Sequence, residues 1–265
     1  MDKLLAVDRV AFTIGKTEIY WYGIIMCVAI LVAIGMATMF CKVRKYDTDI
    51  PINIALVVVP FGILSARFFS VLFEEGLSMS DFFNFRTGGM SIIGAVVGGA
   101  VGLLVYVFIK KPESKLLYFD TLVVVLILAQ AIGRWGNFFN AEVYGQVVER
   151  NGSIFSKFPF AVEVDGVWYQ ALFFYESVLN LVGFLILALS YLCSEKKGLP
   201  TAIYLIYYGV VRTILESFRQ EQFILRLGNI AISRLFSFAM IVIGIVMFLI
   251  VLIKSRKKRV LNEKK

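Results

Sequence analysis

The chain is too apolar for a water-soluble protein. It has 265 residues, of which 59% are hydrophobic and 17% are charged, with a formal net charge of +8. One water-soluble core cannot bury that much apolar surface, so we expect an integral membrane protein. The sequence has no His and three Cys, which excludes imidazole metal sites and His-based nucleophile pairs and argues against a disulfide framework. We expect neither a metal nor a cofactor.

Residues 1–18 carry charges of both signs, and we interpret them as a short ordered surface segment rather than a cleaved signal peptide. After them, apolar runs of about 20 residues, long enough to span the hydrocarbon core as helices, recur along the chain. They predict seven transmembrane helices, near residues 19–41, 51–73, 88–109, 116–138, 172–194, 200–218 and 231–253. The sequence therefore predicts an all-α integral membrane protein, organised as a single membrane domain over residues 1–265.

Lys and Arg are concentrated in alternate connections between these runs. They occur in residues 42–50, 110–115 and 195–199 and in the tail, residues 254–265. Basic residues favour the cytoplasmic side of a membrane, so we expect the N-terminus outside and the C-terminus in the cytoplasm. Directly after a last span, a basic tail is better explained as a topology anchor than as a nucleic-acid patch. We expect no nucleic-acid partner.

The longest connection, residues 139–171, lies between the fourth and fifth runs and faces outward in this topology. Asn-Gly and Asp-Gly pairs favour tight turns, and they occur here at Asn151-Gly152 and Asp165-Gly166. The stretch "FAVEVDGVWYQAL" around the second pair predicts a small hairpin. We therefore expect a small extracytoplasmic lobe at residues 139–171.

Polar side chains inside apolar spans are energetically expensive and usually functional. Two runs place such side chains three or four residues apart, so that each set shares one face of its helix. The sets are Gln130, Arg134, Asn137 and Asn140 in the fourth run, and Tyr208, Arg212, Glu216 and Arg219 in the sixth. Each face must meet protein or water rather than lipid.

Arginines from two separate helices favour a shared anionic ligand. The guanidinium group binds phosphate through paired hydrogen bonds, and lipid headgroups place phosphate at this depth. The alternative is local satisfaction, in which Arg212 pairs with Glu216 one turn away and Arg134 extends to the outer interface. Because these groups, together with Arg67, fall toward the outer ends of their predicted spans, we favour a polar chamber that opens outward.

Glycines in the third run have two interpretations. Gly94, Gly98 and Gly102 recur every four residues, the spacing that lets two membrane helices approach closely. Gly88 and Gly89 stand at the entrance of the run, where paired glycines suit either helix packing or a turn whose backbone amides meet a ligand.

The polar segment after the fourth run resembles a known signature. "GRWGNFFNAEVYG", residues 133–145, is similar to the pattern Gly-Arg-x-Gly-Asn-Phe-x-Asn-x-Glu, closed by a Gly, of the bacterial prolipoprotein diacylglyceryl transferases, and every fixed position is present. The segments "YWYG", "RTGGMSIIGAVVGG", "FFYES" and "RTILESFRQ" follow the order in which that family shows them. The resemblance therefore covers most of the chain.

This resemblance implies a reaction at the outer face of the bacterial cell membrane. The diacylglyceryl group of phosphatidylglycerol would move to the lipobox Cys thiol of a prolipoprotein, with release of glycerol phosphate. The lipid, the precursor protein and the bilayer are the implied partners. The implied catalytic residues are Arg134, Arg212 and Glu142, and the implied substrate-binding residues are Tyr22, Gly88, Gly89, Asn137, Asn140, Gly145, Glu216 and Arg219.

One position departs from the family pattern. Many members have a His, and some a Tyr, where this chain has Ile93, whose side chain cannot exchange a proton. Either Glu142, another residue or water accepts the thiol proton, or the chain is a silent paralogue that binds lipid without transferring it. A lipid or anion transporter is the third reading, since it would also need a cavity lined with arginine.

Overall fold

The computed structural model of the protein describes residues 8–73, 76–84, 89–110, 115–221, 224, 226–227 and 230–263. Seven α-helices run through this part of the chain. They are α1 Trp21–Val43, α2 Ile50–Phe73, α3 Ile92–Lys110, α4 Lys115–Phe139, α5 Leu172–Cys193, α6 Leu199–Glu216 and α7 Ile232–Glu263. Each corresponds to one predicted apolar run, which confirms an all-α membrane protein.

Five of these helices are long and apolar enough to cross a membrane within the residues that the structure describes. The segments are Trp21–Val43, Ile50–Phe73, Leu116–Phe139, Leu172–Cys193 and Ile232–Lys257. The apolar part of α3, Gly94–Lys110, is shorter, and α6 carries Arg212 and Glu216 near its C-terminal end. The last helix continues through most of the basic tail to Glu263 rather than ending near residue 253.

Three two-stranded antiparallel hairpins accompany the helices in the described residues. The strands β1 Val10–Ile14 and β2 Thr17–Tyr20 form an N-terminal hairpin, and residues 1–7 of the predicted ordered segment lie outside the described residues. The strands β3 Ala161–Val164 and β4 Val167–Gln170 confirm the hairpin predicted around Asp165-Gly166. A third pair, β5 Arg226–Leu227 and β6 Ile230–Ala231, precedes α7.

Contacts along the chain define two compact units, one within residues 1–37 and 116–265 and the other within residues 38–115. In the second unit, Gly94 and Gly98 of α3 lie directly against the backbone of α2 at Phe61 and Ser65. A β-carbon at either glycine would overlap α2, so the small-residue spacing serves helix packing, as predicted. The single-domain assignment stays a prediction.

In the first unit, a buried carboxylate joins α4 to the beginning of α6. Asp120 accepts hydrogen bonds from the backbone N–H of Gly198 at 2.6 Å and of Thr201 at 3.1 Å, and from the Thr201 hydroxyl at 2.6 Å. These donors include first-turn N–H groups that have no partner inside the helix. The contact fixes one end of α6 against α4, and the functional side chains lie near the opposite ends of both helices.

Candidate active site

Arg134 lies near the C-terminal end of α4, and its side chain is only partly buried. The Nη2 atom contacts the Glu176 Oε1 atom of α5 at 2.7 Å, and Nη1 donates to the Oδ1 atom of Asn137 at 3.4 Å. The Arg134 side chain keeps 20% of its surface exposed, whereas the Glu176 side chain keeps 3%. The arginine can therefore meet a ligand while the carboxylate holds it in place.

Arg212 of α6 reaches the same carboxylate from a different helix. Its Nη1 atom lies 3.3 Å from the Glu176 Oε2 atom, and its Nη2 atom lies 3.3 Å from Glu216 Oε2. Glu216 is also 3.9 Å from the Nη1 atom of Arg219 and accepts a short hydrogen bond from the Ser233 hydroxyl. Charges of opposite sign thus alternate from Arg134 to Arg219.

This chain of charges has an excess of positive charge. Three guanidinium groups face two carboxylates that are almost fully buried. Buried carboxylates are tolerated when they are paired and hydrogen-bonded, and each one here bridges two arginines. The carboxylates hold the guanidinium groups close together, which their mutual repulsion would otherwise oppose. One net positive charge remains, and a singly charged anion would neutralise it.

Arg219 follows the end of α6 and has a perturbed acid–base equilibrium. Burial of the guanidinium group, together with the nearby charge of Arg212, lowers the pKa of Arg219 below its ordinary value, and the Glu216 carboxylate opposes that shift. The ordinary pKa of an arginine lies so far above neutrality that the side chain stays a cation at physiological pH. Arg219 therefore adds a fixed positive charge beside Glu216.

The loop after α4 presents a third carboxylate. Glu142 Oε1 accepts hydrogen bonds from the side-chain amides of Asn137 at 2.9 Å and Asn140 at 3.3 Å. The residues on either side, Ala141 and Val143, have φ angles of 51° and 58°, a left-handed conformation that is especially unfavourable for a β-branched side chain. The surrounding structure thus holds a strained loop that fixes the position of Glu142.

Two glycines of the signature are required by close packing. A β-carbon at Gly136 would lie 2.6 Å from the Cδ2 atom of Tyr22, so the tyrosine ring rests directly on the α4 backbone. A β-carbon at Gly145 would lie 2.8 Å from Oε1 of Gln170. Gly145 also pairs with Arg219 in an isolated antiparallel bridge. The loop after α4 is thereby joined to the segment after α6.

The geometry brings most of the predicted site residues into one cluster, and comparison with known proteins identifies their family. The family model for prolipoprotein diacylglyceryl transferase matches residues 9–250. The chain belongs to the prolipoprotein diacylglyceryl transferase family. The signature residues 133–145 and the whole charge chain fall within the matched region.

Curated members of this transferase family resemble the chain over nearly its whole length. The phosphatidylglycerol–prolipoprotein diacylglyceryl transferase 1 of Clostridium perfringens is 35% identical, with 96% of this chain and 98% of that protein aligned. The corresponding transferase of Clostridium novyi is 36% identical over 94% and 98% of the two chains. That of Clostridium kluyveri is 34% identical over 96% and 100%.

The glycines predicted at the entrance of the third run fall in the unit of residues 38–115. Gly88 lies outside the described residues, as does the side chain of Ile93. Gly89, with a φ angle of 75°, precedes α3, which begins at Ile92 and not at residue 88. The carbonyl of Gly89 accepts a hydrogen bond from Arg67 Nη1 at 2.9 Å. Gly89 therefore belongs to a loop before α3, and a ligand at its backbone amide stays a prediction.

The alternative for Arg212, an ion pair with Glu216 on the same helix, describes only part of the observed arrangement. Arg212 does pair with Glu216 one turn away, but it pairs equally closely with Glu176. Glu176 is the member of the cluster that the sequence left without a role, although it stands in the "FFYES" segment that resembles the family. A lone Glu in the first turns of an apolar helix was the available signal. Its partners, 42 and 36 residues away, were not readable from helix periodicity.

Proposed function

We propose that this protein transfers the diacylglyceryl group of phosphatidylglycerol to the lipobox Cys thiol of prolipoproteins. The observation that carries the proposal is the meeting of Arg134 and Arg212, from different helices, on Glu176 at 2.7 Å and 3.3 Å. Two guanidinium groups held this close suit the two free oxygens of one lipid phosphate. The names of the clostridial relatives give the same lipid and the same acceptor class.

The reaction requires stabilisation of a leaving phosphate. The Cys thiolate attacks the glyceryl carbon that carries the phosphate, a C–S bond forms, and the C–O bond breaks with its electron pair on oxygen. The product glycerol phosphate is a monoester and carries more negative charge than the diester it came from. Arg134 and Arg212 stabilise this developing charge, which is the interaction that accelerates a group transfer.

The thiol proton needs an acceptor, and Glu142 is our candidate. Asn137 and Asn140 both donate to its Oε1 atom, which orients the carboxylate and fixes it at the cluster. A free Cys thiol has a pKa near 8.5, so a few per cent is already ionised at pH 7. The positive charge of the arginines would raise that fraction, and Glu142 then receives the proton from the remaining thiol. With the arginines stabilising the thiolate and Glu142 accepting the proton, the reaction does not require a His at position 93.

The remaining site residues position the lipid headgroup. Asn137, Asn140 and Tyr22 would donate hydrogen bonds to its glycerol and phosphate oxygens. Glu216 pairs with Nη2 of Arg212 and also with Arg219, and the backbone at Gly145 keeps the loop and Arg219 together.

Membrane orientation follows from the charge distribution. Basic connections and the basic tail place the C-terminus in the cytoplasm and the N-terminus outside. Arg134 near the end of α4 and Arg212 near the end of α6 then lie toward the outer leaflet. This leaflet is where a prolipoprotein would present its lipobox Cys after export. The lobe at residues 139–171 lies on the same outer side, and the enzyme acts in the bacterial cell membrane.

The direct test uses the purified full chain in lipid nanodiscs with phosphatidylglycerol and a lipobox peptide. We expect the peptide to gain the mass of one diacylglyceryl group. Arg134→Ala should abolish the product, whereas Arg150→Ala should retain it, because Arg150 lies in the lobe, 4.9 Å over the Trp168 ring. Retained lipid binding with unmodified peptide would instead support the silent paralogue that Ile93 suggests, and solute flux across vesicles would support a transporter.

A further inference from the structure

The lobe carries exposed apolar side chains that the proposed transfer does not use. Ile154, Phe155 and Phe158 expose 64%, 58% and 46% of their surface, and Lys157 between them is also exposed. A contiguous group of large apolar side chains on a surface typically marks a binding site for a protein or a membrane. We call these four residues the lobe patch.

The lobe patch continues an aromatic belt at one end of the helices. The ring of Phe158 packs on that of Phe138 with centroids 5.5 Å apart, and Phe138 and Phe139 are the last two residues of α4. The ring of Phe139 stacks at 5.2 Å on that of Trp21, the first residue of α1. Aromatic side chains at the ends of membrane helices lie at the boundary between hydrocarbon and water. Phe158 is therefore held at that depth.

A second set of ring contacts joins the lobe patch to the beginning of α5. The Phe155 ring packs against the Phe160 ring with centroids 5.4 Å apart, and Phe160 packs against Phe174 at 5.3 Å. Phe174 belongs to the first turn of α5, which begins at Leu172. The patch thus contacts the end of α4 on one side and the beginning of α5 on the other.

We propose that the lobe patch inserts into the interfacial region of the bilayer. Its apolar side chains would lie among the upper acyl carbons, and Lys157 would reach the phosphates of anionic lipids. The partner is a lipid surface rather than a protein, because the patch is continuous with helix ends that already meet the bilayer. Its basic residue also matches the charge of anionic headgroups.

This contact would stabilise the active-site loop from outside. The lobe includes β4, whose last residue, Gln170, accepts a hydrogen bond at its carbonyl from the Gly145 N–H at 2.9 Å. Gly145 in turn bridges to Arg219. Anchoring the lobe in the membrane therefore limits the movement of the loop that carries Glu142.

The depth of the patch can be measured with an added tryptophan. Phe155→Trp is compared with the unaltered chain, whose three native Trp provide the background, in bilayers of phosphatidylglycerol and phosphatidylcholine. Part of the lipid carries bromine at the headgroup end of the acyl chain. We expect the added emission to fall at least about twofold in brominated lipid, because the ring lies at interfacial depth, and to resist aqueous iodide. Ile154→Trp is the second reporter if Phe155→Trp fails to fold.

Val167→Trp is the matched control, since Val167 is 39% exposed in the same lobe but adjoins the exposed polar turn at Asp165-Gly166. Its added emission should be quenched by iodide and not by brominated lipid. Quenching of Phe155→Trp by iodide alone would overturn the proposal. So would a shift to an apolar environment only after a lipobox peptide is added, because that would assign the patch to the precursor protein. The readout does not depend on turnover, so a failure of transfer leaves it interpretable.

Discussion

The arginine of α2 and the arginines of α4 and α6 have different kinds of partner. Arg67 is fully buried and donates to the backbone carbonyls of Asp81, Asn84 and Gly89 at 2.7–3.3 Å. Arg134 and Arg212 share a side-chain carboxylate and keep 20% and 13% of their side chains exposed. An arginine surrounded by carbonyls holds a loop, whereas partly exposed arginines held by carboxylates can bind a ligand.

The largest expected effect is on catalysis. Arg134→Ala removes one of two cations from the leaving phosphate, and the loss of one such donor typically lowers the rate constant about 10²–10³-fold. We expect kcat for peptide modification to fall by at least that much in the protein that remains folded, with a lower thermal unfolding midpoint because the buried Oε1 atom of Glu176 loses its partner. Unchanged kcat in a folded Arg134→Ala protein would contradict the role of Arg134.

Substitution of Arg67 should affect stability instead. Arg67→Ala leaves three backbone carbonyls without a strong donor, and unsatisfied buried groups cost about 1–3 kcal/mol each. We expect the free energy of unfolding to fall by about 3 kcal/mol, seen as a lower midpoint of denaturation in detergent. The protein that remains folded should keep its turnover within about tenfold. A stable but inactive Arg67→Ala variant would remove the contrast between the two arginine environments.

Glu176→Gln separates the positioning of the arginines from their charge. The amide keeps the size of the side chain, but it no longer attracts both guanidinium groups, and the cluster gains one net positive charge. We expect kcat to fall about tenfold from looser positioning, with KM for phosphatidylglycerol unchanged or lower. An increase in KM at unchanged kcat would indicate that Glu176 instead contributes to uniform substrate binding.

A change confined to packing is expected at the glycine under Tyr22. A methyl group at Gly136 would lie 2.6 Å from the ring of Tyr22, and such overpacking typically costs about 1–3 kcal/mol. Gly133→Ala is the control, since its methyl would meet only the flexible end of Met26, at 3.4 Å. Thermal unfolding of both variants checks the difference. Combining Gly136→Ala with Tyr22→Ala should recover most of the lost stability, and a failure to recover would place the strain elsewhere.

Helix positions were largely readable from the sequence, because the length of an apolar run that crosses a membrane is set by the bilayer. The Asp165-Gly166 hairpin was readable because that pair suits a tight turn. The N-terminal hairpin was expected only as an ordered segment, since its strands are short and mostly exposed. The start of α3 was placed too early because Gly89, Met90 and Ser91, which precede the helix, adjoin its apolar run.

The sequence predicted most residues of the site but not the contacts that join them across helices. Periodicity correctly placed Arg134 with Asn137 and Arg212 with Glu216, because these pairs lie on one helix. It gave no information on which helices face each other, so the bridging role of Glu176 between α4 and α6 was missed. The strained backbone around Glu142 depends on packing across the loop and also has no local sequence signal.

Arg134 and Arg212 are proposed to bind one shared lipid phosphate. A double-mutant cycle on phosphatidylglycerol affinity tests it, with Arg134→Lys, Arg212→Lys and the double variant titrated in zwitterionic nanodiscs. A shared phosphate predicts a coupling energy of about 1 kcal/mol or more, whereas independent sites add within about 0.3–0.5 kcal/mol. The same cycle on unfolding free energy serves as the reference for coupling through Glu176. Additive binding losses would show that the two arginines do not share one phosphate.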